Sequence, residues 1–410
     1  MQEKSLTKLV GHAHRHVPYY RDLFKSIGFK PPSVMTLDIL RDIPVLTKDI
    51  ILANYPQRIM ADNAGKIGCS ARMTSGSSGK KMEVVLDDNV AALYRLIQLR
   101  QLIDIGYRPW YTMAYVRFSP PVTNIGLQKI NLFRRFYIPL EWTPRRQVDE
   151  IMRTRPDVIN AYPSVLFLLA KTIGKQDAAS LKIKFMLSNS ELLSPYVRHF
   201  CEDTFGCKVY DDYSCLEFSA IASECRMQNL HIAADNVIVE VLGEMGKRLK
   251  SGETGKLVVT SLNNYSMPYI RYEIGDVGTL SGEQCSCGNN FPVLKSITGR
   301  CDDFIVLPSG DVIDPQTVVF QVETISSVKE FRIIQQQDKN ITISIIPHSL
   351  TDFPVIAEEI KARMRKLLDD SVHVDIIRTN SFDRGSTGKH RSVISYIDGD
   401  AHVELPHAPH

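Results

Sequence analysis

Apolar residues recur at helical spacing over residues 2–27, with Leu6, Leu9, Val10, Ala13 and Val17 on one stripe, and Pro18 interrupts the run. Thr47 stands where it can cap a helix beginning at Lys48. Beyond residue 82 the period alternates. Met82–Leu86 reads as a strand, and Asn89–Ile105 as a helix with Ala91, Leu93, Leu96, Ile97 and Ile103 inward. Residues 111–118, Phe136–Leu140, Asp157–Asn160 and Lys184–Ser188 read as strands, and residues 145–154 and 164–173 as helices, the second capped by Ser164. Strands that alternate with helices predict an α/β fold with a mostly parallel sheet flanked by helices. Ligands of such sheets lie at the carboxyl ends of the strands.

From Ile232 the pattern turns to strands: Val237–Leu242, Lys256–Ser261, Tyr269–Tyr272 and Val277–Leu280, joined by glycine-bearing turns. This predicts a β-rich subdomain over about 232–298. After Arg300 come strands at Phe304–Leu307, Glu330–Gln336 and Ile341–Ile346, a charged helix at Asp352–Asp369, and strands at His373–Arg378 and near Val393–Tyr396. The expected organisation is a large N-terminal domain, 1–300, and a small α+β domain, 301–410.

Composition changes this picture little. The chain has 410 residues, 44% hydrophobic and 23% charged, which is ordinary for a globular protein. A net charge of +3 is too mild to imply a nucleic-acid partner. No apolar run approaches the roughly 18 residues of a membrane span, and the charged start, Met1-Gln2-Glu3-Lys4, lacks the apolar core of a signal peptide. These features point to the cytoplasm, where the eight cysteines stay reduced or bind metal.

The densest candidate chemistry is Thr74-Ser75-Gly76-Ser77-Ser78-Gly79-Lys80. Glycines let backbone N–H groups turn toward an anion, hydroxyls add donors, and Lys80 adds a mobile charge. The spacing is not that of a Walker A loop, which needs glycine at 74 and a hydroxyl residue at 81; the chain has Thr74 and Lys81. On its own the stretch suits a polyphosphate or a plain surface loop equally.

The loop resembles the ATP-phosphate loop of the adenylate-forming (acyl-CoA synthetase) superfamily, up to Lys81 where proline is usual. Val17-Pro18-Tyr19-Tyr20-Arg21 and Ile43-Pro44-Val45-Leu46-Thr47-Lys48-Asp49 resemble its phenylacetate–coenzyme A ligase branch. Further motifs follow in the expected order. The segment containing Ser190 and Glu191 matches the one that backs adenine in the family. Asp211-Asp212-Tyr213-Ser214-Cys215-Leu216-Glu217 resembles D-x-Y-G-x-[TS]-E, which implies that Asp212 and Tyr213 meet the adenine and that Glu217 binds Mg²⁺. Ser214 and Leu216 depart from that pattern, and Leu216 removes a hydroxyl donor to the reacting phosphate. Ile270-Arg271-Tyr272-Glu273-Ile274-Gly275-Asp276 implies Asp276 on the ribose hydroxyls. Gly299-Arg300-Cys301-Asp302-Asp303 implies Arg300 on ribose or phosphate and Asp302 as the hinge. Gly310 falls in a loop resembling the one that lines the pantetheine channel, and Lys389 is the implied catalytic lysine.

Cys225, His231, Cys285 and Cys287 supply three thiols and one imidazole, a closed tetrahedral set for a structural zinc; the alternative is free thiols in a tight turn. Some members of this branch carry such a zinc. The resemblance implies ATP-dependent activation of a carboxylic acid, pyrophosphate release and acyl transfer to coenzyme A. Its catalytic residues are Lys389, Glu217 and Lys80. Transfer to an amine or a carrier-protein thiol is the first alternative. A nucleotide-binding protein without turnover is the second, kept open by Ser214 and Leu216. Tyr115, Tyr162, Ser188 and Phe218 are candidate acid-pocket residues suited to an aryl or similar flat acid, and Arg117 faces either a second acidic group or solvent. A homodimer is compatible with all of this.

Overall fold

The computed structural model describes residues 2–74, 82–120, 125–243, 246–300, 303–369, 371–383 and 390–397. The chain divides into two compact units, one of Met1–Gly106 with Tyr213–Ile297, the other of Tyr107–Asp212 with Thr298–His410. In chain order the strands are β1 Cys69–Met73, β2 Glu83–Asp87, β3 Met113–Arg117, β4 Arg135–Pro139, β5 Val158–Ala161, β6 Phe185–Asn189 and β7 Lys208–Cys215. They continue as β8 Ser219–Glu224, β9 Leu230–Ile232, β10 Val237–Leu242, β11 Thr254–Ser261, β12 Tyr272–Leu280 and β13 Val293–Arg300.

The first unit opens with two helices, Gln2–His16 and Pro18–Ser26, where the sequence predicts one interrupted helix. Proline is tolerated at the first turn of a helix, so Pro18 starts the second helix and does not merely kink the first. Leu6, Leu9, Val10, Ala13 and Val17 are buried as the periodicity requires. Thr47 caps Lys48–Asn54, its hydroxyl accepting the Ile50 N–H at 3.3 Å. β1 and β2 form an antiparallel hairpin. The following helix, Asp88–Asp104, buries Val90, Tyr94 and Ile97, whereas Leu96 and Ile103 face out, contrary to the expected inward stripe. The β-rich part has strand order β10-β11-β12-β13-β9-β8. The two strands expected at Tyr269–Tyr272 and Val277–Leu280 are one, β12, beginning at Tyr272. Arg271 ahead of it adopts φ +51°, and its buried guanidinium pairs with Glu240 at 3.0 Å.

In the second unit β7-β6-β5-β3-β4 lie side by side, every neighbouring pair parallel. One face carries Ala114, Val116, Ile159, Ala161, Met186 and Val209, buried in a core shared with the helices Pro144–Thr154, Pro163–Ile173 and Pro195–Phe205. Ser164 is not the cap of Pro163–Ile173: Tyr162 is, with Pro163 first in the helix. The C-terminal part builds its own core. β14 Ile305–Val306 pairs with β15 Val312–Ile313, and a four-stranded sheet follows. That sheet has β18 Val374–Arg378, β17 Ile341–Pro347, β16 Val328–Gln335 and β19 Val393–Ser395 side by side, backed by the helices Pro315–Glu323 and Phe353–Met364.

Candidate active site

Thr74 closes the base of the phosphate-loop candidate. Its N–H donates to the Met82 carbonyl at 2.8 Å, and its hydroxyl accepts the Met82 N–H at 2.9 Å. The stretch is thereby a hairpin connection between β1 and β2. Ser75, Gly76, Ser77, Ser78, Gly79 and Lys80 lie outside the described residues, as do Asp302 and Lys389.

Two motif residues 63 positions apart meet within the first unit. Tyr213, near the end of β7, donates its hydroxyl to Asp276 Oδ2 on β12 at 2.6 Å. Gly275, just before Asp276, adopts φ +85°, a region glycine enters without a Cβ penalty. Glu217 follows β7 in a turn, half-buried beside the Cys215 thiol. Burial pushes that thiol far up, with the Glu217 carboxylate adding to the effect, so Cys215 is an inert neighbour and not a nucleophile.

In the second unit, Ser190 and Glu191 follow β6. Ser190 is exposed with φ +70°. Both oxygens of the Glu191 carboxylate are used: Oε2 accepts the Ser164 N–H at 3.1 Å, in the first turn of Pro163–Ile173, and Oε1 accepts the His390 N–H at 2.7 Å. A carboxylate at a helix N-terminus is stabilised by the unpaired N–H groups there. The same side chain therefore holds the residue immediately after Lys389. Asp303 pairs with Arg391 in the same unit. Arg300 ends β13, and Gly310 sits at the β14–β15 turn with φ +96°, its N–H donating to the Leu307 carbonyl at 3.0 Å.

The acid-pocket candidates scatter. Ser188 is fully buried and donates to Asp211. Phe218 is fully buried in an aromatic cluster, its ring centroid 5.4 Å from Tyr269 and 6.2 Å from Tyr272. Tyr115 and Tyr162 instead both lie against Arg117, whose guanidinium is 4.3 Å from the Tyr162 ring centroid and 5.1 Å from that of Tyr115. Arg117 does not face solvent: it is 6% exposed. It bonds Asn160 and Asn189, two residues the motifs did not single out.

Cys225, His231, Cys285 and Cys287 offer ligand atoms that all lie within 4.8 Å of one another. Cys225 Sγ is 3.7 Å from Cys285 Sγ, and Cys287 Sγ is 3.3 Å from His231 Nε2. Tetrahedral zinc with Zn–S bonds of about 2.3 Å needs ligand separations near these. His231 Nδ1 lies 2.9 Å from the Phe291 carbonyl, the contact that fixes the tautomer with Nε2 free for an ion. The Cys287 and Asn289 N–H groups point at sulfur, at 3.5 and 3.4 Å. Burial acts to raise the Cys285 thiol, but hydrogen bonds from the Cys287 N–H and from His231 outweigh it and favour the thiolate. The four residues fit a zinc ion, with no position left for a reacting water.

No family model matches the chain. By sequence it is 26% identical over 351 residues to a phenylacetate-coenzyme A ligase of Thermus thermophilus, covering 82% of this chain and 78% of that one. It is 23% identical over 412 residues to the phenylacetate-coenzyme A ligase of Escherichia coli, covering 95% and 92%. A crystal structure of 2-hydroxyisobutyryl-CoA ligase, in the postadenylation state with R3-HIB-AMP, superposes with a TM-score of 0.79 at 20% identity, covering 98% and 90%. The chain has the fold of the adenylate-forming CoA ligases. The resemblance read from the motifs is thus matched by relatives across most of the chain. What the motifs did not expose is the Arg117–Asn160–Asn189 cluster, whose members come from three separate strands and share no local pattern. Among the described residues, no helix is long and apolar enough to cross a membrane.

Proposed function

We propose that the chain activates a carboxylic acid with ATP, releases pyrophosphate, and passes the acyl group from the acyl-adenylate to the thiol of coenzyme A. The Tyr213–Asp276 contact carries the reading, because two motif residues far apart in sequence form one constellation. In it Asp276 accepts the ribose hydroxyls and the Tyr213 ring stacks on adenine. The loop Thr74–Lys80 holds the phosphates, and Arg300 adds a charge to ribose or phosphate. Glu217 offers a hard carboxylate for Mg²⁺, which would screen the phosphate charge. Lys389 brings an ammonium to the carboxylate and α-phosphate as charge builds there. Asp302 is the hinge. Gly310 stands in an open turn, where even an added Cβ would meet no atom within 4 Å, and it allows close passage of the pantetheine arm.

In the same reading, residues 301–410 move as the small domain. The four-ligand cluster holds one structural zinc, and the enzyme works in the cytoplasm, where reduced thiols keep that site available. The relatives named phenylacetate-coenzyme A ligase and the complex of 2-hydroxyisobutyryl-CoA ligase with 2-HIB-AMP and CoA support this order of steps. Pyrophosphate release measured over a panel of acids tests the first half. Coenzyme A, a carrier protein and amines offered to the activated acid test the second. No pyrophosphate with any acid, despite ATP binding, would leave the non-catalytic reading that Ser214 and Leu216 allow.

A further inference from the structure

The carboxyl ends of the parallel strands carry a polar cluster that the nucleotide motifs do not use. Register places Tyr115 opposite Asn160 and Asn189 opposite Asp212. Side chains alternate across a strand, so Tyr115, Arg117, Asn160, Asn189 and Asp212 project from one face. The opposite face is the one covered by helices.

Arg117 is already committed. Nη1 donates to the carbonyls of Val116 and Asn160 at 2.9 and 3.4 Å, and Nη2 to Asn160 Oδ1 and Asn189 Oδ1, both at 2.5 Å. All four acceptors are neutral, and the tyrosine rings lie against the guanidinium. An arginine used this way is a fixed wall and not a free clamp for a second carboxylate. The acceptor left over is Asp212. Its Oδ1 is buried and has no hydrogen-bond partner among the described residues. Burial pushes its carboxyl up to about 7, against the pull of the nearby Arg117 charge.

We propose that this cluster selects the substrate, and that the acid carries a hydrogen-bond donor, a hydroxyl or an amino group, which Asp212 Oδ1 accepts. The inference rests on the acid-activating reading above and deepens it. A site with a buried acceptor rejects an analogue lacking the donor, because the acceptor is then left unpaired. Tyr115 and Tyr162 bound the cluster on its flat sides, which leaves the selection to Asp212. It also moves Asp212 from the nucleotide, where its motif position put it, to the acid.

The test is calorimetric binding of acids matched in carbon skeleton, with AMP present, to the full chain and to Asp212→Asn and Asp212→Ala. The sets are propionate, lactate and alanine, and phenylacetate, mandelate and phenylglycine. In the unaltered protein the hydroxyl or amino member of a set binds at least about 10-fold tighter than its parent. Asp212→Asn, which keeps one acceptor oxygen, retains part of that preference, and Asp212→Ala loses it. Comparison of the hydroxy and amino arms identifies the donor. Equal binding of parent and substituted acids, or no acid binding at all, overturns the inference. So does an Asp212→Ala that weakens AMP binding while the acid preference persists. If Asp212→Ala does not fold, the matched acids on the unaltered protein still decide. Pyrophosphate release is read in parallel: selective acid binding without it supports the inference while sinking the activation reading.

Discussion

Asp276 is placed by its neighbours as much as by its own strand. Gly275 makes the turn ahead of it, and Tyr213 holds one carboxylate oxygen from β7. A carboxylate has lone pairs to spare, so Oδ2 can keep Tyr213 while the group accepts ribose hydroxyls. Asp276→Ala removes charged hydrogen bonds worth about 1.5–3 kcal/mol, so ATP affinity should fall roughly 10- to 100-fold. The lost contact is half-buried and made by a single hydroxyl, so the melting temperature should move by only about 2 °C. Calorimetric titration with ATP and a thermal melt give both numbers, and undiminished ATP binding would remove Asp276 from the nucleotide site. Tyr213 and Asp276 are legible in the sequence because a short motif fixes each. Ser188 and Phe218 illustrate the limit. Both are pocket candidates by sequence, yet each is fully buried, one bonded to Asp211 and the other stacked among tyrosines. Which side of a strand faces a ligand depends on pairing register, and no local pattern encodes that.

Among the elements, strands and helices with a clean period stand close to where the hydrophobic pattern puts them, and the exceptions have local causes. Leu96 and Ile103 face out because the helix Asp88–Asp104 has apolar residues on more than one side, and packing chose Val90, Tyr94 and Ile97. The zinc set is legible because C-x-C spacing is itself a constraint, while the register of β13 with β9, pairing Val293 with His231, can be seen only in the fold. One metal ion per chain is therefore expected by elemental analysis of protein purified without added zinc. Cys285→Ser should lose metal and several degrees of melting temperature together, and a metal-free, fully stable native protein would dispose of the site.

A second element-level expectation concerns pH. Ser194 caps Pro195–Phe205 and also donates to Glu323 Oε2 at 2.9 Å. Burial raises the Glu323 carboxyl from 4.5 to about 7, with the Ser194 hydroxyl opposing. Below about 4.5 both folded and unfolded chains hold this proton. Between 4.5 and about 7 only the folded chain keeps it, so the stability it confers is lost as pH rises through that window. Glu323→Gln should flatten this part of the pH–stability curve and gain on the order of 1–3 kcal/mol at pH 8 relative to the unaltered chain. Melting temperatures at pH 5, 6, 7 and 8 decide it, and parallel curves for the two proteins would show that Glu323 ionises as an ordinary surface acid.

At the scale of the whole molecule, the question is how the small C-terminal part takes part in two reactions. Within the second unit it is fastened to the segment 107–212 by three hydrogen bonds: Lys171 Nζ to the Val328 carbonyl at 2.7 Å, Ser194 to Glu323, and the His390 N–H to Glu191 at 2.7 Å. The last of these bears on Lys389, because it fixes the backbone of the next residue. Three hydrogen bonds, each worth about 1 kcal/mol net, are strong enough to define a position and weak enough to break on a catalytic timescale. A lysine delivered by such a docked segment serves the step that happens while it is docked. Lys389→Ala should therefore lower acyl-adenylate formation by about 10²–10³, the range for removing one charged donor at a reacting phosphate. Given chemically made acyl-adenylate and coenzyme A, the same variant should form thioester at close to the normal rate, since that step follows undocking. Glu191→Gln keeps an acceptor for His390 but removes the charge, so it should weaken adenylation less than Lys389→Ala does while also sparing thioester formation. An equal loss in both half-reactions for Lys389→Ala would mean that the lysine stays at one site throughout, and the alternating arrangement would have to be abandoned.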